Sequence, residues 1–96
     1  MAVRTTYELT SDKLVKASVG YLHGITIITD GTNNATVSLY DVNSAGDIDT
    51  TNKITEITVV GSNMYGGRNW PMPLRFNNGL YADVTGTGAS YIVEFA

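Results

Sequence analysis

A chain of 96 residues, 43% hydrophobic and 16% charged with a net charge of −3, is the size of one small domain. The absence of cysteine excludes a disulfide framework, a thiolate zinc site and a cysteine nucleophile, and the single His23 excludes a multi-histidine metal site within one chain. Threonine (13), valine (9) and isoleucine (7) form a β-branched excess that suits a pleated surface better than a helix, so composition predicts an all-β domain.

Residues 1–10 read as an N-terminal arm or edge strand, and residues 11–96 as a single β-sandwich. Within the arm, Arg4–Leu9 alternates weakly. Ser11-Asp12 marks a turn, and Lys13–Ser18 reads as a strand. Gly20–Thr29 is the strongest strand. Strict alternation puts Leu22, Gly24, Thr26 and Ile28 on one face and Tyr21, His23, Ile25, Ile27 and Thr29 on the other. Bulk on both faces predicts a central strand, or one covered by a partner.

Asp30-Gly31-Thr32-Asn33-Asn34 carries a hairpin signal, because glycine and asparagine tolerate positive φ. Ala35–Val42 alternates cleanly, and Asn43–Asn52 reads as a polar loop. Lys53–Val60 is a further strand, Gly61–Gly67 turns the chain, and Leu74–Phe76 is a short strand. Asn77-Asn78-Gly79 has the composition of a type I′ turn. Leu80–Thr85 and Tyr91–Phe95 close the set, joined through a tight turn at Gly86-Thr87-Gly88. About eight short antiparallel strands result, with turn signals at the spacing of a sandwich or barrel, and no window shows helical periodicity with caps.

The stretch Asp41–Asn52 is the most chemical. It places oxygen ligands at Asp41, Asn43, Asp47 and Asp49 with Gly46 at the sixth position, as a calcium loop does. It lacks a ligand at Ala45 and the bidentate acid at its twelfth position, Asn52, and its flanks are strands. The reading of a solvated loop built from Asx turns therefore outweighs the metal. Trp70, between Asn69 and Pro71-Met72-Pro73, is either a corner residue covering the open end of the sandwich or an exposed platform for a sugar or a neighbouring subunit. The corner is favoured. His23 has no nucleophile or orienting acid beside it in sequence, so it reads as a packed or backbone-bonded histidine. Gly61–Arg68 is glycine-rich but lacks the lysine and the helix of a phosphate loop; Gly66-Gly67 reads as a bulge or tight bend. Tyr21, Tyr40 and Tyr81 fall opposite the apolar set and, with Trp70, are the candidate interface residues.

No catalytic residue and no cofactor is expected. The six basic residues are scattered against nine acids, so no nucleic-acid partner is expected. No apolar run approaches the ~18 residues of a membrane span and the first residues lack a signal-peptide core, so neither a membrane partner nor export is expected.

Three stretches together resemble small virion proteins of tailed bacteriophages. They are Val15–Ile27 (VKASVGYLHGITI), Ala35–Asp41 (ATVSLYD) and Asn78–Val93 (NGLYADVTGTGASYIV). The resemblance spans roughly residues 13–95. It implies a β-sandwich, often of jelly-roll type, that assembles on the particle as a capsid decoration or cement protein, a head-fibre base, or a tail or knob component, commonly as a trimer and without catalytic residues. The expected function is therefore non-enzymatic: a capsid decoration protein, homo-oligomeric, bound to the major capsid protein or another virion protein and assembled in the bacterial cytoplasm. The arm at residues 1–10 would reach a neighbour by strand addition. The alternative is a carbohydrate-binding sandwich using Trp70 with Tyr65 and, through the Asp41–Asn52 loop, calcium.

Overall fold

The computed structural model describes residues 2–96. Eight strands carry the fold: β1 (Arg4–Thr5), β2 (Lys13–Lys16), β3 (Gly20–Ile28), β4 (Ala35–Tyr40), β5 (Lys53–Val59), β6 (Tyr65–Phe76), β7 (Leu80–Thr85) and β8 (Ser90–Phe95). They form two four-stranded antiparallel sheets, with orders β1-β8-β3-β6 and β2-β7-β4-β5. That pair of orders is a jelly roll, two interleaved Greek keys folded into a sandwich.

Among neighbours in the chain, only β4 and β5 pair with each other; every other connection crosses from one sheet to the other. This corrects the expected hairpin at Asp30–Asn34. The Asp30 carboxylate accepts from the backbone N–H groups of Thr32 and Asn33 at 2.9 and 2.8 Å, and Gly31 has φ 91°, so the turn signal is real. The turn nevertheless carries β3 over to β4 in the opposite sheet. Gly86-Thr87-Gly88 does the same between β7 and β8. Asn77–Gly79 is not a type I′ turn, since none of its residues has positive φ. Gly79 is needed there for close approach: a Cβ would lie 2.6 Å from the Val42 carbonyl oxygen.

The core lies between the sheets. Leu22, Ile25, Ile27, Phe76, Tyr91 and Val93 from the first sheet meet Val37, Leu39, Val59, Leu80 and Ala82 from the second. In β3 the expected alternation fails after Leu22. Leu22 is in the core, but so are Ile25 and Ile27, which lie on the opposite parity. The register with both neighbours shifts between Leu22 and Gly24, so His23 sits in a bulge that reverses the faces of everything beyond it. Bulk on both parities of β3 thus reflects a bulge. β3 also lies between β8 and β6, centrally in its sheet.

β6 extends over Tyr65–Phe76, far beyond the expected Leu74–Phe76, because residues read as a turn are paired: Gly66 with Ile27, Gly67 with Thr26 and Arg68 with Ile25. Its partners jump from Leu22↔Leu74 to Gly24↔Asn69, leaving Trp70-Pro71-Met72-Pro73 bulged opposite His23. β6 is an edge strand, and the two prolines, which have no N–H to donate, fall where no ladder bond is made. Glycine is required at Gly67, where a Cβ would lie 2.0 Å from the Ile25 carbonyl oxygen.

The N-terminal segment folds back on its own domain. After β1, Thr6 N–H donates to the Val93 carbonyl at 2.9 Å, Leu9 bridges Tyr91, and the buried Tyr91 hydroxyl donates to the Ser11 carbonyl at 2.8 Å. The segment is an edge strand of the sandwich, completing its first sheet.

Candidate functional site

The acidic loop follows β4. Its two short 3-10 turns, Ala45–Asp47 and Thr50–Asn52, are capped by Ser44 and Asp49 side chains. Asp49 accepts from the Thr51 N–H and the Thr50 hydroxyl. Asp41 is half-buried rather than exposed, and its carboxylate turns away from the loop. It accepts from the backbone N–H groups of Asn77, Asn78 and Gly79 in the β6–β7 connection. A cluster of amide donors suits an anion, the reverse of a calcium ligand set. Asn43 and Asp47 do share a small hollow with Asp41 and Asn52, but Asp49 is not part of it. Among the described residues no three histidine, aspartate or glutamate side chains come together as a metal site.

Trp70 is half-buried and packs against the edge of the core, with the Arg68 guanidinium 5.5 Å from its ring. It lies in the β6 bulge, between the paired Asn69 and Leu74. Pro71, Met72 and Pro73 of the bulge are exposed, Met72 to 84%. The Nε2 atom of His23 is buried without a hydrogen-bond partner, so this nitrogen makes no backbone bond of the kind the sequence suggested.

The three tyrosines do not share one surface. Tyr40 and Tyr81 face each other across β4 and β7, on the outer face of the second sheet, whereas Tyr21 belongs to the first sheet, opposite Arg75. Tyr40 is buried, at 9% exposure, with the Lys53 ammonium 5.8 Å from its ring. It is covered by its neighbours and offers little to a partner. The same face carries a polar network in which Glu56 accepts from the Ser38 hydroxyl at 2.9 Å and from Lys53 at 2.8 Å. These bonds hold the Glu56 carboxyl below the usual carboxylate range, Lys53 contributing most. In the same cross-strand row, on the other side of Ser38, burial and the neighbouring Asp12 push the Asp83 carboxyl up.

Two surface features were not singled out by sequence. On the outer face of the first sheet, Glu94, Gly24 and Asn69 lie in one cross-strand row, followed by Ile92, Thr26 and Gly67, and then by Ser90, Ile28 and Tyr65. Gly66 and Gly67 at the edge of this array leave a hollow of about 370 Å³, also lined by Thr26, Tyr65, Asn69 and Glu94. The signals in the sequence were Tyr65, named there beside Trp70 as a carbohydrate contact, and glycine inside strand patterns, which marks either a bulge or a place where another molecule approaches the backbone. The second feature is the open flank between β1 and β2. There Leu9, Val15 and Phe95 floor an apolar hollow of about 280 Å³ beside Tyr7, which is 91% exposed; Val3, just before β1, is exposed as well.

No family of known proteins matches the chain, and no curated protein or solved structure is significantly similar to it.

Proposed function

We propose that this chain is a non-enzymatic structural protein of a tailed-bacteriophage virion, a capsid decoration protein that binds the head shell as a homotrimer. The observation that carries the reading is the strand order. A complete jelly roll in a chain this short is an architecture that viral shell proteins share with lectins. Because one fold hosts many functions, the choice between those classes rests on the phage-like stretches. These fall on β2, β3, β4, β7 and β8, which include the inner strands of both sheets. A domain of this size has a modest core, and docking as one of many bound copies adds stability by mass action while opposing rupture of the shell.

The contact assigned to the shell or to a second copy is the flank of β1, with Tyr7 exposed beside Leu9, Val15 and Phe95 and with Val3 exposed before the strand. An isolated apolar surface group is ordinary, but a cluster over an apolar hollow suits a partner. The test is the copy number per particle, by densitometry against the major capsid protein. Hundreds of copies support decoration, and a handful to dozens indicate a tail or vertex component instead. Particle occupancy of Val3→Ser and Tyr7→Ser then tests the flank. Point substitutions suit this test, because deleting the N-terminal segment would remove β1 from the sandwich. Unchanged occupancy in the double variant excludes this surface, and light scattering of the purified protein decides the trimer.

A further inference from the structure

We infer that the glycine-floored hollow on the outer face of the first sheet is a binding site for a neutral pyranose sugar. Gly24 stands in the cross-strand row between Asn69 and Glu94, and both side chains fold over it: a Cβ at Gly24 would lie 2.5 Å from Asn69 Oδ1 and 3.3 Å from Glu94 Oε1. An amide and a carboxylate therefore converge above a stretch of bare backbone. Among the described residues, the side chains of Tyr65, Asn69 and Glu94 hydrogen-bond to no other part of the protein, in contrast to Asp41, Glu56 and Asp30, whose carboxylates are engaged. Their hydrogen-bonding capacity is available to a ligand without breaking an internal bond.

The chemistry of the set selects the ligand. Asn69 supplies donors and an acceptor, Glu94 accepts only, and the exposed Thr26 hydroxyl does either. Hydroxyl groups that each donate and accept match that mixture. A phosphate or carboxylate would meet Glu94, and a hard metal cation would find this one carboxylate in the lining, too few oxygen ligands of its own kind. At the rim, the Tyr65 ring is 71% exposed and offers a flat apolar surface to the C–H face of a sugar. Arg68 and Trp70, whose ring is 5.5 Å from the guanidinium, lie on the other side of β6, where Arg68 pairs with the buried Ile25, and neither belongs to the set. This assignment is independent of the virion reading. On a particle bearing many copies, a weak single site would gain strength by multivalency.

The experiment is a titration of the full-length ¹⁵N-labelled chain, followed by amide shifts, with the methyl glycosides of glucose, galactose, mannose and N-acetylglucosamine, and with inorganic phosphate as the anion control. The expected result is saturable binding of at least one glycoside, with a dissociation constant on the order of a millimolar for so small and open a site. Shifts should centre on residues 65–69, Thr26 and Glu94. Tyr65→Ala and Glu94→Gln, both checked for unchanged thermal unfolding, should each weaken it by roughly tenfold. The inference is overturned by any of three results: no saturable shift with any glycoside up to about 50 mM, shifts centred on Met72 or on residues 42–52, or saturation by phosphate in place of the sugars.

Discussion

The carboxylate of Asp41 accepts a 2.8 Å hydrogen bond from the backbone N–H of Asn78, 37 residues further along the chain. Asn77 N–H is 3.0 Å from the same carboxylate. One acidic side chain at the end of β4 thus holds the connection between β6 and β7, and with it the crossing from one sheet to the other. Hydrogen bonds to a charged acceptor contribute about 1.5–3 kcal/mol each when made in a sheltered place. Asp41→Ala should lower stability by about 2–3 kcal/mol, and the melting temperature by roughly 10 °C or more. Urea unfolding with an unchanged slope checks it.

Because Asp41 is committed to backbone amides and Asp49 to a cap, calcium should not stabilise the fold. Melting curves in millimolar calcium and in chelator should superimpose. A rise in melting temperature with calcium would show that the Asp41–Asn52 loop binds the ion after all.

Tyr91 is fully buried and its hydroxyl donates to the Ser11 carbonyl at 2.8 Å. Tyr91→Phe should cost about 1 kcal/mol, read by denaturant unfolding, and should loosen residues 4–11 in amide exchange. Burial raises the pKa of this hydroxyl far above that of an exposed tyrosine. A raised acid favours the fold while protonated. Its contribution is therefore complete below pH ~10 and is lost as pH climbs through the folded-state value. In Tyr91→Phe, the stability lost by the wild type above pH ~10 should be reduced.

Asp83 behaves in the same sense at acid pH. Burial, then Asp12, raises its pKa, so its contribution is greatest below its ordinary value of 3.8 and declines as pH rises through the raised one. Asp30 and Glu56 run the other way: hydrogen bonds lower their values, and their support is lost as the solution is acidified. Asp83→Asn should match or exceed the wild type at neutral pH, and this difference should shrink toward pH ~3. Stability curves at several pH values measure it.

Gly86 has φ 119°, and a Cβ there would lie 2.2 Å from the Asn34 carbonyl oxygen. Gly86→Ala should destabilise the fold by about 2 kcal/mol or more, since a side chain is strained at that φ and has no room. Thermal unfolding of the variant is the check.

Several features of the fold were legible residue by residue. Val37 and Leu39 against Thr36 and Ser38, and Tyr91 and Val93 against Ile92 and Glu94, mark their strands and buried faces by period two alone. The failures lie where a contact distant in sequence decides. The Gly66-Gly67 pair looked like a turn because glycine is poor in strands, yet the approach of Ile25 requires a residue without a side chain at Gly67. Asp41 looked like a loop ligand because its partners, Asn77–Gly79, are remote in the chain. Asn69 and Glu94 went unnoticed because they meet only across Gly24.

A β-branched excess, many turn residues and the absence of cysteine were enough to determine an all-β sandwich of short strands, since periodicity and side-chain shape act locally. Which strand pairs with which was decided only by the tertiary structure. A turn motif such as Asp30–Asn34 specifies a reversal of the chain, but burying the apolar faces of both sheets in one core determines whether that reversal ends beside the same strand or across the sandwich. The bulge at His23 is of the same kind, because the parity of β3 is set jointly by β6 and β8 and by nothing within β3 itself.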